Sequence, residues 1–207
     1  MKEYQNLELI KRIKALADTG LVYAKDDYDK ERYEELRGIS LELLSNVSDQ
    51  PLTMLNDFFM PERDYPTAKV DVRGFVMNDK NEILMAKEQI DGHWTIPGGW
   101  ADVGYTPSEV VTKEIEEETG LSCSVVRLLA IYDKRMHPHP PQPFYVYKLV
   151  FLCKVENGGL KPGFDMAGAA FYRIDDLPEL SKDRILESQI NQLYNMVIEN
   201  DKNVHFD

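Results

Sequence analysis

The sequence predicts an α+β fold: a mixed sheet layered between helices and preceded by a small N-terminal helical domain. Three observations carry this. Apolar residues recur at helical spacing before residue 65, alternate with period two after Pro66, and return to helical spacing near the end of the chain. The change of period places a boundary near residue 65, giving a helical domain over 1–65 and a second domain over 66–207. A chain of 207 residues is long enough to bury a core without disulfides or metal staples.

In the first domain Leu9, Ile10, Ile13 and Leu16 mark one helix, and Gly20 reads as its stop. The acidic opening Asp26-Asp27-Tyr28-Asp29 suits a helix N-terminus, and Tyr33, Leu36, Leu43 and Leu44 continue a second helix from about Tyr28 to Leu44. A short third helix is expected from Pro51 to about Phe59, before Pro61 and Pro66 block continuation. So few helices enclose little core alone, so an apolar stripe should remain for the second domain or another subunit, and a homodimer is expected.

The second domain opens with a strand placing Val70, Val72 and Val76 on one face and Asp71, Arg73 and Phe75 on the other. Asn78-Asp79-Lys80-Asn81 is a turn, Glu82 to Lys87 a strand, and Trp94 to Ile96 a short strand running into Pro97-Gly98-Gly99. After an intervening helix, strands are expected at Ser124 to Tyr132, Phe144 to Val155 and Ala170 to Ile174. Ser181 is expected to cap a final helix carrying Ile185, Leu186, Ile190, Leu193 and Val197.

The formal net charge of −12 argues against extended nucleic-acid binding and against anionic membranes, both of which rely on surplus Lys and Arg. It leaves room for a small phosphate-bearing ligand if a divalent cation lies between the two anions. No apolar run approaches the roughly 20 residues of a membrane span, and Met1-Lys2-Glu3-Tyr4 does not open a secretory signal, so a cytoplasmic protein is expected. Cys123 and Cys153 lie in apolar stretches without metal-ligand spacing and read as reduced core thiols.

The helix after Gly99 has clear limits: Thr106 at the N-cap, Pro107 at the first helical position, Glu109 completing a capping box, and Gly120 past the end. With that register Glu114, Glu117 and Glu118 share an arc of roughly 100°, beside an apolar stripe of Val111 and Ile115. Two readings follow. The glutamates form an ordinary charged helix face, or, with Pro97-Gly98-Gly99 approaching the same edge, a hard oxygen site for Mg2+ or Mn2+.

The stretch from Gly99 to Leu121 resembles the Nudix box, G-x5-E-x7-R-E-U-x-E-E-x-G-U with U aliphatic, at seven of its nine fixed positions. The resemblance implies a Nudix-type α/β/α sandwich and metal-dependent hydrolysis of a nucleoside diphosphate derivative. It also implies roles: Glu117 and Glu118 as principal metal ligands, Glu114 as a third ligand or the group that orients a base, and Gly99 as a carbonyl ligand. Tyr105 and Lys113 stand where the family has glutamate and arginine; a phenol-to-ammonium hydrogen bond is the expected brace between them. A carboxylate outside the box often contributes in the family, and Asp165 is the candidate, with a plain turn residue the equal alternative.

Further similarity, in Leu7-Glu8-Leu9-Ile10, in Gly98 to Tyr105 and in Leu177-Pro178-Glu179-Leu180-Ser181, is to the two-domain Nudix group that includes CDP-choline pyrophosphatases. That resemblance implies a dimer releasing CMP and phosphocholine. ADP-ribose is the alternative substrate, and a Nudix-fold sensor without turnover is the alternative of another class. For substrate contacts, Arg135 suits a phosphate and His137 a base or second phosphate, in a loop stiffened by Pro138, Pro140, Pro141 and Pro143 that also suits a rigid surface connection. Trp100 either stacks on a base or packs, and Arg73 either lines a cleft or pairs with a carboxylate.

Overall fold

A computed structural model describes residues 2–48, 55, 65–102 and 104–207. The chain divides into two compact units, one of Met1–Ala68 with Pro141–Phe144, the other of Lys69–Pro140 with Tyr145–Asp207. In the first unit α1 (Lys2–Tyr23) packs on α2 (Asp27–Ser48) through Leu7, Ile10, Leu41 and Leu44, joined by Leu55. Buried Asp18 ties the helices together by accepting from Lys14 at 2.6 Å and from Arg37 at 3.2 Å. The remainder of the expected third helix lies outside the described residues.

Gly20 does not stop α1. A Cβ there would stand 2.4 Å from the Tyr33 ring, so glycine serves close approach of the two helices and the helix continues to Tyr23. The stripe also faces differently from the expected one: Ile10 is buried, whereas Leu9, Leu16, Leu36, Ile39, Leu43 and Val47 are exposed.

The second unit holds a five-stranded mixed sheet in the order β4-β1-β6-β5-β8 and a three-stranded sheet in the order β3-β2-β7. Its elements are β1 (Lys69–Val76), β2 (Ile83–Glu88), β3 (Trp94–Thr95), β4 (Gly98–Trp100), α3 (Pro107–Thr119), β5 (Leu121–Asp133), β6 (Val146–Gly158), β7 (Met166–Tyr172), α4 (Glu187–Ile198) and β8 (His205–Phe206). The alternation along β1 sorts two cores. Val72 and Val76 join Val111 and Ile115 of α3, while Phe75 faces Tyr132, Val150 and, from the other helix layer, Ile190 and Leu193 of α4. Gly74 seats α3 on the sheet, since a Cβ there would lie 2.5 Å from Ile115.

Several limits differ from expectation. Ser181 caps no helix: its carbonyl accepts the amides of Arg184 and Ile185 and its hydroxyl donates to Asp91 at 2.7 Å, closing a turn. The final helix starts at Glu187, with the Leu186 N–H donating to the Gln189 side chain, so Ile185 and Leu186 are buried ahead of it. Phe144 precedes β6, which runs on to Gly158 opposite Leu121, and Ile174 lies beyond β7. The short β8 pairs parallel to β5, where Arg127 donates to the carbonyls of Asp201 and Asn203. Both cysteines are free, and burial raises their pKa values.

Candidate active site

Local chemistry fixes α3 before any ligand is considered. Glu109 N–H donates to Thr106 Oγ1 at 3.3 Å while the Glu109 carboxylate accepts Thr106 N–H at 2.8 Å, and Gly120 ends the helix in a left-handed conformation with φ 78°. With Val111 and Ile115 turned into the sheet, the edge carrying Glu114 and Glu118 meets the turn into β4. At that turn Gly98 has φ +140°, and a Cβ would fall 2.1 Å from the Val72 carbonyl oxygen, a position only glycine occupies. The freed amide of Gly98 donates to Glu118 Oε2 at 3.0 Å. At Gly99 a Cβ would stand 3.0 Å from the Glu114 carboxylate, so its absence makes room for that side chain.

The two carboxylates sit in an unusual electrostatic setting. Burial pushes the Glu118 carboxyl up to about 8; Arg73 and the Gly98 amide oppose this, and the charges of Glu114 and Glu88 add to it. Burial likewise raises Glu114. Glu117 is different: its side chain is 58% exposed and lies 3.5 Å from Lys113. Lys113 also donates to Asp102 at 3.3 Å and stands over the Tyr105 ring at 5.7 Å. The brace between the two altered box positions is thus ammonium on ring face, with Asp102 rather than the phenol accepting the hydrogen bond.

The remaining residues separate. Arg73, 6% exposed, takes its carboxylate-pairing alternative by donating to Asp71 at 3.0 Å, and its charge reaches Glu118. Asp165 is exposed on a loop anchored to the catalytic-helix candidate by Gly163 N–H donating to the Glu118 carbonyl at 3.2 Å. Trp100 is 48% exposed, not core, with Lys69 at 5.6 Å from its ring centroid. Arg135 pairs with Asp133 at 3.2 Å, and His137 Nε2 lies 2.9 Å from Asp207, so neither is gathered with the glutamates. One carboxylate escaped the sequence reading. Glu88, at the end of β2, is half-buried, pairs with Arg184 at 2.6 Å, and is near enough to Glu118 for each charge to act on the region. Within the polar run Lys87-Glu88-Gln89 nothing in the pattern distinguishes it.

Among the described residues no three His, Cys, Asp or Glu side chains converge tightly enough to enclose an ion. The donor chemistry still fits a hard divalent cation: carboxylate oxygens of Glu114 and Glu118 meet at a glycine turn, Gly99 lacks the Cβ that would press on one of them, and Glu117 adds an exposed carboxylate on the same helix.

A mixed sheet presenting a carboxylate-bearing helix edge to a glycine turn suits a class, hydrolases of phosphoric anhydrides, in which carboxylates hold a divalent cation against phosphoryl oxygens. Comparison with known proteins agrees. A NUDIX domain model matches residues 67–193, and a model described as a UDP-X-like, N-terminal oligomerisation domain matches residues 4–59. A putative ADP-ribose pyrophosphatase of Bacillus subtilis is 41% identical, covering 97% of this chain and 96% of its own. The crystal structure of a UDP-X diphosphatase is 36% identical with a TM-score of 0.64, covering 100% of both chains. That of an ADP-ribose pyrophosphatase from Streptococcus suis is 31% identical with a TM-score of 0.62, covering 68% of this chain and 100% of that one. The chain belongs to the Nudix hydrolase family. No helix among the described residues is long and apolar enough to cross a membrane.

Proposed function

We propose that the protein hydrolyses the pyrophosphate bond of a nucleoside diphosphate derivative with Mg2+ or Mn2+, and that CDP-choline is the substrate, giving CMP and phosphocholine. The observation that supports the chemistry is the pair Glu114 and Glu118, held against Gly98 and Gly99 on the edge of α3. A divalent cation, when bound, supplies positive charge at phosphoryl oxygens that otherwise repel a nucleophile. Glu118, fixed by the Gly98 amide, and Glu117, now beside Lys113, would be its principal ligands, joined by the Gly99 carbonyl. Glu114 is a third ligand or orients the base. Water attacks one phosphorus, a new P–O bond forms, the bridging P–O bond breaks, and the water proton passes to a carboxylate of the site, with Asp165 the outside candidate. Arg73, already fixed by Asp71, faces the same carboxylates with positive charge for a phosphate. Trp100, Arg135 and His137 are proposed substrate contacts.

ADP-ribose is the second reading, favoured by the names of the Bacillus and Streptococcus relatives. Incubation of the full chain with each substrate and Mg2+ or Mn2+ separates the two by products. CMP with phosphocholine is expected; AMP with ribose 5-phosphate as the dominant turnover replaces CDP-choline by ADP-ribose, and no divalent-dependent turnover of either favours a non-catalytic sensor.

The exposed stripe of Leu9, Leu16, Leu36, Ile39, Leu43 and Val47 supports a homodimer, with a second copy covering apolar surface that water disfavours. Light scattering is expected to return twice the chain mass; the mass of one chain would exclude the dimer.

A further inference from the structure

A buried polar line runs from the carboxylates across one face of the sheet. Arg73 donates to one oxygen of Asp71, and Lys148, opposite Asp71 in the β1–β6 register, donates to the other. The line continues to Lys134, in the short helical turn Lys134–Met136 after β5, and to His139; the charges of Lys134 and Lys148 both act on His139. Both end residues are more than nine-tenths buried, Lys134 at 9% and His139 at 5% exposure. Asp71 is already shared by two cations, and Lys134 makes no ion pair among the described residues.

His139 has a defined protonation. Its Nδ1 lies 2.7 Å from the Lys182 carbonyl oxygen, which can only accept, so the ring proton sits on Nδ1. Burial, against the Lys182 hydrogen bond and with the neighbouring Lys134 and Lys148, pulls the imidazole down to about 4, so it is neutral. Nε2 therefore carries a bare lone pair, and that atom is buried without a partner among the described residues. A buried acceptor left unfilled is costly, and Lys134, whose charge acts on His139 and is itself opposed by the charges of Asp183 and Asp71, makes no side-chain hydrogen bond or ion pair among the described residues.

We infer that Lys134 and His139 read the nucleobase of the substrate, Lys134 donating to a carbonyl or ring nitrogen and His139 Nε2 accepting from the adjacent amine or ring N–H. This rests on the reading of the chain as a nucleoside diphosphate hydrolase and names the part of that substrate the polar line ends on. Phosphate offers only acceptors and would leave Nε2 unfilled, and choline carries no N–H at all. A base edge carries a donor beside an acceptor.

The test is metal-free binding by the full chain, titrated with CMP, AMP and ribose 5-phosphate in chelator. His139→Phe and Lys134→Met are expected to weaken at least one of the two mononucleotides on the order of tenfold, His139→Gln to recover binding by restoring an acceptor, and ribose 5-phosphate to be unaffected by all three. Unchanged mononucleotide binding in folded variants would overturn the inference, a trapped water then filling Nε2; so would an equal loss for ribose 5-phosphate, which would assign the residues to a sugar. Thermal melting checks each fold. If His139→Phe does not fold, His139→Gln binding as wild type while Lys134→Met is weakened supports the inference, and both binding as wild type overturns it. Because no metal and no turnover enter, failure of hydrolysis with mononucleotide binding and its variant dependence intact would reject the enzymatic reading alone.

Discussion

Glu118→Gln is expected to lower kcat with Mg2+ at least about a hundredfold while leaving the protein folded. Disturbing groups one step removed from a metal already costs roughly 10–100-fold, and this change removes a charged ligand itself. The fold should survive for a separate reason. Gln still presents an oxygen to the Gly98 amide, now 3.0 Å from Glu118 Oε2, and it removes a charge that burial disfavours. Steady-state kinetics and a thermal melt on the same preparation check both halves. Wild-type turnover in the variant would refute the assignment of Glu118, and an unfolded variant would refute the argument about its burial.

Asp71→Asn is expected to destabilise the protein by roughly 3–5 kcal/mol, measured as a shift in the urea midpoint. Burial opposes ionisation of Asp71, and the charges of Arg73 and Lys148 overcome it, holding the carboxyl below its usual range. Those cations are 6% and 1% exposed, so removing the shared anion strands both in the interior. Lys148→Met in the same chain should recover part of the loss, because one stranded charge is then replaced by an apolar stem of similar length. A loss below about 1 kcal/mol, the range of an exposed pair, would contradict this account.

How much of this was legible follows from the range of each interaction. The helix α3 was readable to the residue because Thr106, Pro107, Glu109 and Gly120 act within one or two turns of themselves. The two faces of β1 were readable because alternation is local. Gly20 and Ser181 misled for the opposite reason: each carries a residue type that usually stops or starts a helix, and each is occupied with a distant partner, Tyr33 in one case and Asp91 in the other. Glu88 was illegible because only Arg184 and the folded sheet give it a place near Glu118. The ion pairs of Arg135 with Asp133 and of His137 with Asp207, the latter brought up by the unforeseen β8, were likewise not readable from local pattern. Of the candidate site, the box residues could be named in advance. Their separation into a buried pair and an exposed Glu117 depends on the Gly98 amide and on Lys113, which spacing does not reveal.

Calorimetric titration of Mg2+ and Mn2+ into the wild-type protein and into Glu118→Gln tests most directly whether this helix edge holds a divalent ion. Saturable uptake by the wild type, lost or strongly weakened in the variant, is the expected result. No uptake by the wild type, or the same uptake by both proteins, would contradict it.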